Sequence, residues 1–372
     1  MATTTTAADD DKIVDVQLSE TKYFYENLRA SEAKKRPAVD FMETIQPKYV
    51  NASRRAVLVD WLVDVADGYN LAPETLHLAI NYLDRYLSCN PVVIQKLQLL
   101  GVGCMMIASK YEDIRPLQVE DYCFLMAHKC TKDEVLQMES SVLNFFKFEM
   151  TAPTVKSFLG LILGFLPASA QGNKIYYLAS YISELSLLEY NMLCYAPSLV
   201  AASAIFLARF LLTPSQKPWS SYLTRYTWYQ PSDLLDCVKA LHAALVSDRE
   251  RPNPALPTIR NKYSQHSYKC VAEIPCPGSI PLENFDNIVS SSLDGQIEEP
   301  PSRDGHVTIL VQSRSRKSSK TNFGTTGISR TVPVTKPRST KNRYQSRSRM
   351  GLSTTIQDQG LGFLAHAYQQ SS

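Results

Sequence analysis

Apolar residues in the middle of the chain recur at helical spacing. Leu76, Ile80, Leu83 and Leu87 step by four, three and four, and Val135, Met138, Val142 and Phe145 by three, four and three. Each set falls on one face of a helix, so both helices are predicted to bury a stripe. Leu97, Leu100, Cys104, Ala108 and Tyr111 mark a third helix, which also carries Gly101, Gly103 and Ser109. Small residues let neighbouring helices approach closely, which places this one at the centre of a bundle. Nearly everything from 51 to 247 has the same period. Helix starts are signalled by Pro73 before Glu74, by the capping box of Thr131 and Glu134, and by Pro231 before Ser232.

Pro153 opens a second group of helices, predicted at roughly 153–165, 173–190, 197–212, 219–226 and 231–246. Its centre, SLVAASAIFLARF at 198–210, matches LGVGCMMIASKY at 100–111 as an apolar helix rich in small residues. The two groups form a divergent internal repeat of about a hundred residues. Periodicity fails from Tyr263. After about residue 290 the chain is rich in Ser, Thr, Arg and Lys, with eleven basic and no acidic residues between 313 and 349. Such a stretch has little to bury against its ordering entropy, so disorder is predicted there and over residues 1–14.

Dividing the formal charge of +3 along the 372 residues changes its meaning: residues 290–372 carry a net +7 and the rest a net −4. The body is slightly acidic and the tail basic. Eight cysteines form no C-x-x-C pair, which implies reduced thiols in an intracellular compartment and no zinc site. The longest apolar stretch, 199–212, is interrupted by Arg209 and falls short of the about 20 residues that a membrane span needs. His77, His128 and His242 lie on separate helices without metal-ligand spacing, and no glycine-rich phosphate loop is present. No cofactor and no catalytic group is expected.

Two charges stand out inside the apolar helices: Arg55 in RRAVLVDWLVDVADG and Asp84 in LHLAINYLDRYLS. A buried ion is costly without a partner, so the two helices are predicted to clamp each other through this pair. With SKYED at 109–113 and MESSVLNFF at 138–146, the arrangement resembles the cyclin box, and most closely that of plant A-type cyclins. Further similar strings are FEMTAPTVKSFL, LEYNMLCYAPSLVAASAIFLARF, YQPSDLLDCVKALH and KYSQHSYKCVA.

The resemblance implies an all-α fold of two tandem five-helix boxes, at 51–150 and 151–250. A helix and strap at 15–50 precede them and pack across both. An extension at 251–289 lies on or near the second box, and a basic tail occupies 290–372. The five most characteristic positions of the first box are Arg55, Asp84, Leu99, Lys110 and Glu139. By that likeness Arg55 and Asp84 form a structural pair. Lys110 and Glu139, with Tyr111, Leu143 and Phe148, face a cyclin-dependent protein kinase. Charge-assisted hydrogen bonds from such a Lys and Glu suit the backbone ends of a docked helix. A hydrophobic groove for docking motifs of substrates and inhibitors is implied at Val57, Leu58, Trp61, Asp64, Leu97 and Gln98. The chain departs from the family at Arg54, usually Met, and at Ile94, basic in animal members.

The implied function is activation of the kinase during cell-cycle progression from S phase to mitosis, by a nuclear and cytoplasmic protein that is not itself an enzyme. A cyclin-fold transcription factor or transcriptional-kinase partner is the alternative. Such initiation factors carry paired C-x-x-C motifs and basic folded faces, whereas this body is acidic. Nucleic acid is expected to be attracted weakly at most, through the tail. Destruction-box matches fall at Arg55 to Leu58, Arg209 to Leu212 and Arg349 to Leu352, of which only the last lies outside predicted helices.

Overall fold

The structure is a computed structural model that describes residues 7–48, 50–166 and 171–288, with backbone alone over 7–19. The basic tail lies outside the described residues. Among those described, all regular structure is helical. After a long helix α1 (Ala7–Glu32) and a short α2 (Phe41–Thr44), two groups of five follow in the same order. The first is α3 (Ala52–Gly68), α4 (Pro73–Leu87), α5 (Ile94–Glu112), α6 (Val119–Leu125) and α7 (Lys132–Phe145). The second is α8 (Val155–Gly164), α9 (Gly172–Leu188), α10 (Pro197–Leu212), α11 (Ser221–Thr227) and α12 (Pro231–Glu250).

Each group wraps one small-residue helix. On α5 every residue from Leu97 to Ser109 is buried, and on α10 every residue from Val200 to Ala208. Gly101 and Gly103 make the close approach possible. A Cβ at the first would lie 2.9 Å from Leu58 of α3, and at the second 2.9 Å from Met138 of α7. Any side chain there would push a neighbouring helix away. The capping box is formed as predicted: Glu134 N–H donates to Thr131 Oγ1 at 3.2 Å, and Thr131 N–H to Glu134 Oε2 at 2.8 Å. At α12 the cap is Gln230 with Asp233, whose Oδ2 accepts from Gln230 N–H at 2.7 Å. Ser232 lies inside the first turn instead.

Arg55 is the most deeply buried ion of the first group. Its Nε and Nη2 donate to the two oxygens of Asp84 on α4, at 2.6 and 2.7 Å. Its Nη1 donates at 2.8 Å to the carbonyl of Leu187, in the last turn of α9. Burial disfavours the guanidinium charge, but the facing Asp84 carboxylate outweighs it and holds the pKa above its ordinary value. One side chain thus joins two helices of the first group to one of the second.

The leading helix docks on the second group. Tyr25, fully buried, meets Phe158, Phe165 and Trp228 edge-on at 5.6, 5.9 and 6.1 Å. Glu32 accepts from Ser198 N–H and Oγ at 3.1 and 2.9 Å, at the first turn of α10 where an anion is favoured. The strap then crosses back. Arg36 donates to the carbonyls of Leu193 and Cys194, while Gln46 donates to those of Leu87 and Asn90. The helix begins at Ala7, inside the 1–14 stretch predicted to be loose. Ala7 and Ala8 and the acidic run Asp9–Asp11 favour a helix start by propensity and by charge at the positive end of the dipole.

The segment after α12 reaches further than predicted, touching both groups rather than the second alone. Thr258, at the start of α13 (Thr258–Tyr263), donates from N–H and Oγ1 to the carboxylate of Asp60 on α3, at 3.1 and 2.7 Å. Tyr268 O–H donates to Asp67, also of α3, at 2.7 Å. Lys262 and Tyr263 bind Glu184 of α9, at 2.9 and 2.7 Å. Three buried or half-buried carboxylates on two helices therefore find their partners in one short segment.

Burial pushes the Asp60 carboxyl up from 3.8 to about 6, an effect the Thr258 hydrogen bonds reduce. The folded chain binds this proton more tightly than the unfolded one, so its contribution to stability is full below pH 3.8 and is lost as the pH rises through 6. Between pH 7 and 4 wild type should therefore gain about 2 kcal/mol relative to Asp60→Asn. Urea unfolding across that range reads the difference. A constant difference would place the carboxyl's pKa in the ordinary range.

Candidate functional site

The C-terminal turn of α5 and the adjoining face of α7 bring most of the predicted partner-facing residues together. Lys110 follows the buried Ser109, and its Nζ lies 2.5 Å from Glu139 Oε1 of α7. Leu143, one turn beyond Glu139, is half-buried on the same stripe. Its carbonyl accepts from Phe148 N–H at 3.0 Å. Lys110, Glu139, Leu143 and Phe148 thus make one continuous ridge. Tyr111 stands beside it, 51% exposed, with its hydroxyl 2.7 Å from Thr151 Oγ1.

Phe148 owes its place on this ridge to the backbone. After α7 the backbone turns left-handed at Lys147 and Phe148, with φ of 51° and 61°, and neither is glycine. Such a conformation is unfavourable for a bulky aromatic residue; paired left-handed residues recur at Ala127 and His128 and at Lys269 and Cys270. It leaves the Phe148 ring 68% exposed. Ile114, equally exposed three residues beyond Tyr111, was not predicted. It lies outside any helical stripe, so periodicity gives no sign of it. Large apolar side chains next to a charge pair fit the core of a protein interface.

The predicted docking groove has a different character. Leu58, Trp61, Leu97 and Gln98 are buried, and Leu58 is wedged against Gly101. Only Val57 and Asp64 are partly exposed. The floor of this face therefore belongs to the core. Two polar groups on this face are unsatisfied. Neither Gln98 Oε1 nor Nε2 has a hydrogen-bond partner, and Gln98 is 1% exposed. Asp64 Oδ2 is likewise buried without a partner, and its carboxyl is pushed up to about 6 by burial and then by Asp67. A buried amide left unpaired is costly, and ligand recognition is one reason to keep one. Ile94, one of the two departures from the family, is buried and takes no part in the surface.

Among the described residues no group of three or more His, Cys, Asp and Glu is placed to hold a metal ion. No helix among them is long and apolar enough to cross a membrane. The described cysteines are unpaired, and burial pushes the Cys237 thiol up to about 12, so it packs as an apolar group.

Two tandem five-helix bundles, joined by a leading helix and a shared closing segment, define the class. Residues 23–151 match the family profile described as the cyclin N-terminal domain, and residues 153–277 that of the cyclin C-terminal domain, so the chain belongs to the cyclin family. It is similar to Cyclin-A1-1 of Oryza sativa subsp. japonica, 54% identical over 280 residues that cover 74% of this chain and 54% of that protein. It is also similar to Cyclin-A1-4 of the same plant, 52% identical and covering 77% and 80% of the two chains. Cyclin-A1-1 of Arabidopsis thaliana is 54% identical, covering 71% and 57%. The chain spans a little over half the length of most of these relatives. The X-ray structure of a viral cyclin from herpesvirus saimiri shares the fold, with a TM-score of 0.52 at 21% identity over 61% of this chain and 95% of that one.

Lys110 and Glu139 form a pair at the surface, half and one-eighth exposed, and so should contribute little to stability. Replacing both with Ala should change the unfolding free energy by less than about 1 kcal/mol. A fall of several kcal/mol in chemical denaturation would make them part of the core.

Proposed function

We propose that this chain is the regulatory subunit of a cyclin-dependent Ser/Thr protein kinase, that it contributes no catalytic group, and that it controls cell-cycle progression from S phase to mitosis. The observation that carries this reading is the ridge of Lys110, Glu139, Leu143 and Phe148, within a fold of the cyclin family. Lys110 offers ammonium donors and Glu139 carboxylate acceptors 2.5 Å apart. Together they match the unpaired carbonyls and N–H groups at the ends of a docked kinase helix. Tyr111, Phe148 and Ile114 supply the desolvated contacts that give most of the affinity. Holding that helix in one position is how the chain raises the kinase's activity.

The groove reading concerns substrates and inhibitors. A docking peptide laid across α3 would place an apolar residue on Val57 and a basic residue against Asp64. The part-exposed Val57 and Asp64 support this, because they put an apolar contact and a carboxylate on the surface of α3. Nuclear residence belongs to the same proposal.

The test is phosphorylation of a histone peptide by a purified, activation-loop-phosphorylated cell-cycle kinase, with and without the chain. Strong stimulation is expected. The Lys110→Ala, Glu139→Ala double variant should bind the kinase at least about tenfold more weakly while remaining folded, the scale of one hot-spot truncation. Absence of stimulation across a panel of such kinases would contradict the proposal. Leu58, Trp61 and Gln98 belong to the core, so Val57→Ser with Asp64→Asn is the better probe of the groove. That variant should lower phosphorylation of a docking-motif substrate about tenfold and leave a short peptide substrate unchanged. Equal losses on both would remove the groove.

A further inference from the structure

Where the two boxes meet the closing segment, the structure holds a cavity of about 180 Å³, several times the ~30 Å³ that one water occupies. It is lined by the end of α3, the start of α4, and residues of α8, α9 and α13, including Lys156, Tyr176, Ser180 and Glu184. The kinase-facing ridge and the docking face use none of these residues.

Lys156 is the anomaly in this cavity. It is 4% exposed, and lysine is almost never buried without a counter-ion. Its Nζ donates to Ser180 Oγ at 2.9 Å and lies 4.4 Å from the centre of the Tyr176 ring, both neutral partners. Among the described residues it forms no ion pair. Of the other charges of the cavity, Glu184 and Lys262 are ion-paired, and Asp67 is hydrogen-bonded by a neutral hydroxyl. Glu184 holds Lys262 through both oxygens at 2.9 Å and accepts from Tyr263 O–H, and Asp67 accepts from Tyr268 O–H. A second unsatisfied group lies close by. His77 is buried with Nε2 unpartnered, and its imidazole is kept neutral by burial and by the positive charge of Lys156 and Lys262.

We infer that this cavity binds a carboxylate through Lys156. An ammonium has three donors, and a ring face and one hydroxyl leave room for a charged acceptor. A single negative charge suffices to pair the Lys156 ammonium. A phosphate dianion would bring a second charge toward Glu184 and Asp67, which already line the site. Tyr176, Tyr177 and Tyr268 border the cavity and give a short methylene stem apolar carbon to pack on, so the acidic side chain of a partner peptide fits better than a bare ion.

The full chain, labelled with ¹⁵N and free of kinase, tests the inference by titration with glutarate, acetyl-Gly-Glu-Gly-amide, phosphate and chloride at constant ionic strength. Amide shifts of Tyr176, Tyr177 and Ser180 should saturate with the carboxylates in the millimolar range. Tighter saturation with the peptide than with glutarate would assign the site to a peptide side chain, and the reverse to a free carboxylate. Lys156→Met should abolish the saturable shifts, and Lys156→Arg should keep them. Lys156→Met should also melt no lower than wild type, because it removes an uncompensated buried charge. Linear shifts with every anion would overturn the inference, as would unchanged binding in Lys156→Met or tighter binding of phosphate than of either carboxylate. Because no kinase is present, these outcomes do not depend on the regulatory reading.

Discussion

The guanidinium of Arg55 is the constraint on which the arrangement of the two boxes depends. Water no longer solvates it, so each of its donors must find an acceptor inside the protein. Two do so on Asp84, which fixes α3 against α4, and a third does so on the Leu187 carbonyl, at a helix end that has free acceptors. The same ion therefore sets the geometry within the first box and the position of the second. Replacing it by an apolar residue would fill the space but supply none of these directions.

Carboxylates repeat this logic on the other side of α3. Asp60 and Asp67 of α3 and Glu184 of α9 point toward the junction of the boxes, and residues 258–268 supply their partners. The closing segment is thus held by charge-assisted hydrogen bonds together with the buried side chains of Ile259, Tyr263 and Val271. The slight acidity of the folded body is partly of this kind. The segment returns to the first box after the second is complete and gives the acids Asp60 and Asp67 of α3 their hydrogen-bond donors.

Much of this was legible in the sequence. Steps of three and four gave α4 and α7, and the small-residue rows gave α5 and α10 as the centres, for the steric reason that Gly101 and Gly103 then displayed. Two charges in apolar runs announced the Arg55–Asp84 pair. Other features depend on the three-dimensional arrangement, which a local pattern does not contain. The bond from Arg55 to Leu187 spans 132 positions. The short α13 and its flanking 3-10 turns are too brief to show a period. Burial of Leu58 and Trp61 follows from how α5 is packed, so a helix apolar on most faces did not reveal which residues remained at the surface. The exposure of Phe148 follows from two left-handed residues that no composition rule marks.

Hydrogen exchange under native conditions tests the role of Arg55 most directly, comparing wild type with Arg55→Met and with Arg55→Met, Asp84→Leu. The single variant leaves Asp84 buried and unpaired, at a cost of about 3–5 kcal/mol, and should lose protection together in α3, α4 and the last turn of α9. The double variant should recover protection in α3 and α4 but not in the last turn of α9, whose Leu187 acceptor remains unpaired. Loss confined to α3 and α4 in the single variant, with α9 unchanged, would contradict the account that this one ion joins the two boxes.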